Sequence, residues 1–400
     1  MDLIQAKSEA KRRNNIVSEE LEIEILARLP VISLLRFKCV CKSWRSLISS
    51  PFFIEKHLHD CNSINNPNLL FITKICDRVN WYSMQYDTMF IVSPQTLQVI
   101  KTQNDPPRVR DNWWPQILGS CNGLVCLYCN VDYGNGAIWN PATRETKALP
   151  CSLIQQSLIR AAGFGFDANN NDYKVFLIHL FTDGADDDDE ELSKPEGFQL
   201  EYYSLRTNSW KLVNEIQGMD LLFEDGTIGA YTNGMISWLA YTEEEDYSDP
   251  EIWPFTWRDE IISFDISNEV IIRTPLPNNI GSHAVDQSVN HVRVLNESFA
   301  VVSDNFHDCE FDIWVLREVG VVESWTKLFT VGPLPHSVPD PLVIWKEGVV
   351  FWNRKDKELI LYDSANQQKS CAGIPKRQYQ LTDAVIYRES LVPLFTDGTT

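Results

Sequence analysis

The chain of 400 residues lacks any long apolar segment. No uninterrupted apolar run approaches the roughly 18 to 20 residues that cross a bilayer as a helix. The N-terminal stretch, MDLIQAKSEAKRRNN, also lacks the apolar core of a secretory signal peptide. We therefore expect a soluble protein of the cytoplasm, the nucleus or both, with no partner in the membrane.

Closely and regularly spaced cysteines are missing too, although the chain contains ten cysteines. Their scattered positions argue against a disulfide scaffold. Cys126 and Cys129 have the spacing of zinc ligands, but they fall within LVCLYC, a predicted strand in which residues three apart point to opposite faces. The sequence offers no second pair to complete four ligands. It therefore predicts neither a metal site nor a cofactor.

Positive charge is scarce outside the N-terminal region. The chain has 35 Lys and Arg against 55 Asp and Glu, which gives a formal net charge of −20. Residues 1–58 have a net charge of +3, so the remainder has −23. Such acidity disfavours nucleic acid as a partner of the larger part and favours a basic protein. Maintaining solubility explains the acidity equally well.

Three or four short helices are predicted within residues 16–58. Ser18 is placed to cap the first helix, with acidic residues in its first turn. That helix has an apolar stripe at helical spacing and ends at a proline, the residues being Leu21, Ile25, Leu29 and Pro30. The following helices contain further apolar residues, namely Leu34, Leu35, Phe37, Val40, Trp44, Leu47 and Ile48. Pro51 is expected to end the third helix, which contains Trp44, Leu47 and Ile48.

So short a helical unit cannot bury this many large apolar side chains by itself. The surplus predicts a partner surface. That partner is either another protein or, in the simpler explanation, the domain that follows in the chain.

Beyond residue 67, short apolar or aromatic runs alternate with turn residues. A unit of strand, polar turn and strand recurs, as in IWNPATR and YYSLRTNSW. Its anchor positions are Val92, Trp139, Tyr203, Phe264, Trp314 and Tyr362. Intervals near 50 residues between anchors match one four-stranded blade of a kelch-like propeller. We predict an all-β propeller of about six blades, with seven or eight as alternatives, closed by pairing of residues 68–73 with 384–394.

Two groups of motifs resemble a known family. The segment LPVISLLRFKCVCKSW at 29–44 resembles the plant F-box very closely. The segments GSCNGLV, WNPATR and GFGFD, which begin at residues 119, 139 and 163, are similar to the F-box-associated interaction domain of plant F-box proteins. Within that family the pattern is most similar to S-locus F-box and S-locus-like F-box proteins.

The resemblance implies a small all-α F-box domain at 16–60, a linker at 61–67 and a kelch-like F-box-associated β-propeller domain at 68–395. It also implies that the F-box binds a Skp-type adaptor and, through it, a cullin-RING ubiquitin ligase. The adaptor-binding residues implied by the motif are Leu29, Pro30, Leu34, Leu35, Val40, Cys41 and Trp44.

Two acidic runs occupy the longer intervals between anchors, at 183–191 (DGADDDDEE) and 243–246 (EEED). Loops that project from a rigid scaffold often carry recognition, although a solvated loop also explains these runs. Large aromatic residues near the second run are typical anchors of binding surfaces. The candidate target-binding residues are Asp186, Asp187, Asp188, Asp189, Tyr247, Trp253 and Trp257.

Two motifs imitate catalytic or metal sites without meeting their requirements. The run from Gly119 to Gly123 has the glycine spacing of a hydrolase nucleophile elbow around Cys121, but the residues that follow predict a strand where a helix is needed. The run from Asp167 to Asn171 starts like a calcium loop, yet Asp172 stands where glycine is required. Both are predicted to be turns.

The preferred function is therefore that of a non-catalytic substrate-recognition subunit of an SCF-type E3 ubiquitin ligase. The S-locus resemblance implies recognition of S-RNases in pollen self-incompatibility. One alternative is an F-box and propeller scaffold that acts outside a ligase. A propeller enzyme is a third hypothesis, and it would require carboxylates or histidines that converge in the central channel.

Overall fold

The computed structural model describes most of the chain. The described residues are 18–64, 68–75, 85–94, 96, 98–104, 107, 116–129, 135–154, 157–182, 195–213, 221–224, 226–245, 255–277, 280, 290–295, 297–305, 309–334, 340–345, 348–353, 358–372 and 379–395. No helix in these ranges is long and apolar enough to cross a membrane.

Four helices within residues 18–64 form a unit, hereafter the helical unit. They are α1 (Glu19–Ala27), α2 (Val31–Phe37), α3 (Lys42–Ile48) and α4 (Pro51–Ile64). The Ser18 hydroxyl accepts a hydrogen bond of 3.3 Å from the Leu21 N–H, which confirms the predicted N-cap. The third helix ends before Pro51, as predicted: α3 ends at Ile48, and Pro51 begins α4. Proline suits a first helical position, where its missing N–H has no intrahelical partner. Helix α4 then continues four residues into the segment predicted as a linker.

Six antiparallel sheets follow, and each is one blade of a propeller. Blade 1 contains β1 (Asn68–Ile75), β2 (Gln85–Val92) and β3 (Val99–Asn104). Blade 2 contains β4 (Gln116–Cys121), β5 (Leu124–Cys129), β6 (Asn135–Asn140) and β7 (Glu145–Ala148). Blade 3 contains β8 (Leu158–Asp167), β9 (Asp172–Thr182), β10 (Pro195–Ser204) and β11 (Ser209–Val213). A two-residue strand, β12 (Thr227–Ile228), pairs in parallel with β8.

Blades 4 to 6 have the same arrangement. Blade 4 contains β13 (Ala230–Thr232), β14 (Met235–Glu245), β15 (Phe255–Asp265) and β16 (Val270–Pro275). Blade 5 contains β17 (Asn290–Leu295), β18 (Ser298–Asn305), β19 (Glu310–Leu316) and β20 (Trp325–Val331). Blade 6 contains β21 (Asp340–Trp345), β22 (Gly348–Asn353), β23 (Glu358–Asp363) and β24 (Gln368–Ala372). A short 3-10 helix, Val322–Ser324, precedes β20.

The ring closes between the two ends of the domain. The last strand, β25 (Tyr379–Tyr387), pairs with β1 and becomes the innermost strand of blade 1, with Leu70 opposite Val385. The innermost strands of neighbouring blades contact one another all the way round, in the order β25, β4, β8, β13, β17 and β21. The predicted propeller is confirmed, with six blades. The ends of the domain pair as predicted, but the late strand is Tyr379–Tyr387, so most of the predicted run 384–394 lies beyond the pairing.

The core lies between the blades rather than in one central mass. Alternate residues of a strand point to opposite sides of its sheet. Leu69 and Phe71 therefore pack in the layer shared with blade 6, whereas Leu70 and Ile72 pack in the layer shared with blade 2. The same alternation separates Cys126 from Val125 and Leu127 in β5. Both faces of each blade are buried, which explains apolar runs such as LVCLYC.

Candidate protein-interaction surfaces

The helical unit has a small core that it shares with the propeller. Its buried side chains are Leu26, Ala27, Val31, Leu34, Ile48 and Phe53. Leu391, from the segment after β25, completes this cluster, and Ala142 from blade 2 packs beside it. The explanation of the apolar surplus as a contact with the following domain is therefore correct for one side of the unit.

Five large apolar side chains in the described part of the helical unit remain exposed after this packing. The exposed fractions are 52% for Leu21, 50% for Ile25, 52% for Ile32, 65% for Val40 and 62% for Phe52. Leu21 and Ile25 lie one turn apart on α1. Packing on the propeller therefore uses only part of the apolar surplus, and the remainder is available to another protein.

The two faces of the propeller differ in what they carry. The turns between first and second strands and between third and fourth strands lie on one face, together with Asn68 and Tyr387, where the chain enters and leaves the ring. The helical unit packs on this face, which we call the helical face. The opposite face, which we call the open face, contains the turns between second and third strands and the connections from blade to blade.

The C-terminal segment Arg388–Phe395 joins the helical unit to blade 2. The Asn140 side-chain Nδ2 donates hydrogen bonds to the carbonyl oxygens of Ser390 and Val392, at 3.1 and 2.9 Å. The Leu394 N–H donates to Glu145 Oε2 at 3.2 Å. An added Cβ on Gly123 would lie 2.6 Å from the Arg388 carbonyl oxygen, so the segment passes directly over this turn. Since Leu391 enters the helical core, the segment contacts both parts of the molecule.

Comparisons with known proteins agree with this architecture. Residues 72–393 match the model of the F-box associated beta propeller domain, and residues 18–56 match that of the F-box domain. The chain belongs to this F-box family. It is 28% identical over 362 residues to the F-box/kelch-repeat protein At3g23880 of Arabidopsis thaliana. These aligned residues cover 88% of this chain and 89% of the relative. The chain is 26% identical over 368 residues to F-box protein CPR1 of the same plant, with 87% and 82% covered.

The predicted adaptor residues of the F-box have three kinds of environment. Pro30, Val40 and Cys41 are exposed. Leu29, Leu35 and Trp44 are half-buried, whereas Leu34 is fully buried in the F-box core. A buried Leu34 can support an adaptor surface but cannot touch an adaptor in this conformation. The sequence placed Leu21 and Ile25 on an apolar stripe without naming them as site residues, and their exposure now adds them to the candidates.

Trp44 and Cys41 fix the geometry of α3. The Trp44 ring packs against Phe37 with ring centroids 5.0 Å apart, and its Nε1 donates a hydrogen bond to Glu22 of α1. The Cys41 Sγ accepts from the Trp44 N–H at 3.5 Å and so caps the helix. These contacts connect α1, α2 and α3.

The candidate target-binding residues fall in or beside blades 3 and 4. In the sequence the first acidic run stands between β9 and β10, whereas Glu243–Glu245 of the second run form the end of β14. Asp186, Asp187, Asp188, Asp189, Tyr247 and Trp253 lie outside the described residues. Trp257 lies in β15, where its backbone pairs with Glu243. The described strand ends that flank the two acidic runs, in β9, β10, β14 and β15, therefore lie on the open face, opposite the F-box.

The turn at Cys121 does not form a nucleophile elbow. Asn122 and Gly123 have positive φ angles of 50° and 79° and connect two strands, β4 and β5. Burial raises the pKa of the Cys121 thiol to about 12, which opposes formation of the nucleophilic thiolate. The run from Asp167 is likewise a hairpin turn, with Asp167 paired to Lys174 at 2.7 Å. Among the described residues, no cluster of His, Cys, Asp or Glu could hold a metal.

One group of side chains has the order of a hydrolase triad. The Ser157 hydroxyl lies 2.7 Å from His179 Nδ1, and His179 Nε2 lies 3.0 Å from Glu201 Oε1. The imidazole is fully buried, so it cannot exchange a proton with a substrate. The group has a structural role, and members of this family are generally non-catalytic adaptors.

Proposed function

We propose that the chain is the substrate-recognition subunit of an SCF-type cullin-RING ubiquitin ligase, acting in the cytoplasm or the nucleus. The F-box would bind a Skp-type adaptor, as F-box domains generally do, and the propeller would bind the target. Ubiquitin transfer would be carried out by other subunits. The observation that carries the proposal is the set of exposed apolar residues on α1, α2 and the turn before α3, which packing on the propeller leaves uncovered.

The proposed target site lies on the open face. It combines the two acidic runs, at 183–191 and 243–246, with the aromatic residues Tyr247, Trp253 and Trp257 near the second one. Negative charge would steer a basic target toward this face and would do so less effectively at high salt. The S-locus resemblance of the motifs suggests an S-RNase as the specific target.

Adaptor binding is testable with two exposed side chains of the F-box. Ile32→Ser and Val40→Ser together should weaken binding of a plant Skp-type adaptor at least about tenfold, because each removes about 1 kcal/mol or more of apolar contact. Folding should not change, since both side chains are largely exposed. Isothermal titration calorimetry measures the affinity, and circular dichroism checks the fold.

Val270→Ser is a matched control, because Val270 is 49% exposed but lies on the outer strand of blade 4. It should bind the adaptor like the unmodified chain. Equal affinity of all three proteins would contradict the proposal. Capture of adaptor without any cullin from a reconstituted mixture would instead favour a scaffold that acts outside a ligase.

A further inference from the structure

The core of the helical unit is small and includes one residue from outside the helices. Within the described residues, the helices contribute six buried side chains to it, namely Leu26, Ala27, Val31, Leu34, Ile48 and Phe53. Leu391, from the C-terminal segment Arg388–Phe395, is the seventh and is only 3% exposed. A unit of this size buries little apolar surface, so each member of its core contributes a large share of its stability.

The C-terminal segment is buried on two sides. Leu391 packs in the core of the helical unit, whereas Val392 and Leu394 pack in the cluster between blades 2 and 3. Pro393, which stands between Val392 and Leu394, is exposed. Neighbouring side chains of the segment therefore belong to the cores of two different parts of the molecule.

The propeller fixes the position at which Leu391 meets the helices. Asn140 Nδ2 donates hydrogen bonds to the carbonyl oxygens of Ser390 and Val392, the two residues that flank Leu391. Asn140 and Ser390 are both fully buried. Breaking these hydrogen bonds would leave buried polar groups without partners, which is unfavourable. Blade 2 therefore holds the segment in place, and Leu391 projects from it into the helical core.

The helical core adjoins the exposed residues assigned above to the adaptor. Leu26 and Val31 are buried in this core, and they are next in sequence to Ile25 and Ile32, which are 50% and 52% exposed. Packing of the buried neighbours fixes the directions in which the exposed side chains project from α1 and α2. Loss of Leu391 would leave a cavity in the core that supports both helices.

We propose that the C-terminal segment controls the shape of the F-box, because α1, α2 and α3 keep their arrangement only while Leu391 is docked in the helical core. Thermodynamic linkage requires the reverse effect, so an adaptor bound to the F-box stabilises the docked segment by the same factor. This inference rests on the proposed function only where the adaptor is concerned. The chain alone tests the docking, so failure of one proposal is distinguishable from failure of the other.

Hydrogen–deuterium exchange of the full chain without adaptor tests the docking. Leu391→Ala should speed exchange in peptides that cover residues 19–48 at least about tenfold, because a Leu-to-Ala change in a packed core favours its opening. Peptides from blades 4 to 6 should exchange as they do in the unmodified chain. Leu391→Met nearly conserves volume and should leave exchange in the helices unchanged.

Pro393→Ala is the matched control for these variants, because it alters an exposed residue of the same segment. It should exchange like the unmodified chain. Unchanged exchange of the helices in Leu391→Ala would overturn the proposal. Equally faster exchange in the helices and in blades 4 to 6 would overturn it too, because the effect would then be a general loss of stability.

Leu391→Asp extends the test to adaptor binding. Burial of a carboxylate without partners is unfavourable, so this substitution should keep residue 391 out of the helical core. Isothermal titration calorimetry should show at least about tenfold weaker binding of a plant Skp-type adaptor, and Pro393→Ala should bind normally. Adaptor should also slow exchange of residues 388–395 in the unmodified chain.

Full adaptor affinity of Leu391→Asp would overturn control of the F-box by the segment. Failure of the unmodified chain to bind any adaptor would instead contradict the proposed function, and exchange in the chain alone would still decide whether Leu391 controls the helices.

Discussion

Asp167 connects two blades through a single carboxylate. Its Oδ2 accepts hydrogen bonds from Lys174 Nζ and Asn170 Nδ2, at 2.7 and 2.8 Å. Its Oδ1 accepts from the Ser267 hydroxyl of blade 4 at 3.1 Å, and Lys174 also donates to the Ile266 carbonyl oxygen at 3.4 Å. Burial opposes ionisation of Asp167, but the hydrogen bonds from Lys174 and Asn170 outweigh it and lower the pKa to about 2.

The lowered pKa predicts a pH-dependent contribution to stability. A carboxyl group whose pKa is lower in the folded than in the unfolded protein stabilises the fold fully above the unfolded value, here 3.8, and loses that effect as pH falls through about 2. The contribution is about 2 kcal/mol. Asp167→Asn should therefore lower the free energy of unfolding by at least about this amount at pH 7, and the difference from the unmodified chain should shrink toward pH 2.

Urea unfolding followed by tryptophan fluorescence measures the effect. Asp312→Asn is a control, because Asp312 pairs with Lys327 at the same distance of 2.7 Å but on the surface. That pair should contribute less than about 1 kcal/mol. If the loss of unfolding free energy in Asp167→Asn did not change with pH, the hydrogen bonds from Lys174 and Asn170 would not lower the pKa of Asp167 as described.

The repeated element of the propeller is the turn from the third to the fourth strand of a blade. Its first residue is Asn140 in blade 2, Asp265 in blade 4 and Asp363 in blade 6, and each side-chain oxygen accepts from the N–H two residues later. The last residue of this turn has a positive φ angle in blades 2, 3, 4 and 6; these residues are Arg144, Asn208, Glu269 and Gln367. Such turns use Asn and Asp because their side chains replace a backbone acceptor. In blade 2, the Asn140 amide nitrogen also binds the C-terminal segment.

Asn140 should consequently matter more than its counterparts. Asn140→Ala removes the donor for two buried carbonyl oxygens, and each unsatisfied group costs about 1–3 kcal/mol. We expect the free energy of unfolding to fall by about 2–4 kcal/mol and the C-terminal segment to become sensitive to limited proteolysis near Leu391. Asp363→Ala, which alters the same turn in blade 6, should cost about 1 kcal/mol and leave proteolysis unchanged. Equal effects of the two substitutions would contradict the role of Asn140 as the contact between blade 2 and the C-terminal segment.

At the scale of the whole molecule, periodic patterns allowed much of the fold to be predicted. All six anchor residues lie in the third strand of their blades, because the same strand and turn chemistry recurs in every blade. The ring closure was predictable for the same reason. The sequence predicts the end of the F-box at residue 60, whereas α4 continues to Ile64. The last residues of this helix, DCNSI, are mostly polar and give no apolar period from which a helix could be predicted.

The contacts that join the domains were not predictable from local patterns. Asn140 and Ser390 are 250 residues apart, and the sequence around each of them gives no sign of their contact. Nothing in the local sequence distinguishes Leu34 from the exposed apolar residues near it. Its burial depends on the positions of α3 and α4. Long-range packing therefore decides which residues of a recognised motif face a partner.

The central claim is that this F-box protein binds an adaptor through the exposed helices on one face and leaves the opposite face of the propeller free. Hydrogen–deuterium exchange of the full chain, with and without a plant Skp-type adaptor, tests this most directly. The account predicts slower exchange on adaptor binding in peptides that cover residues 19–48 and no change in β8 and β9 near Leu158 and Leu180. Slower exchange at the open face, or no change in the F-box helices, would contradict it.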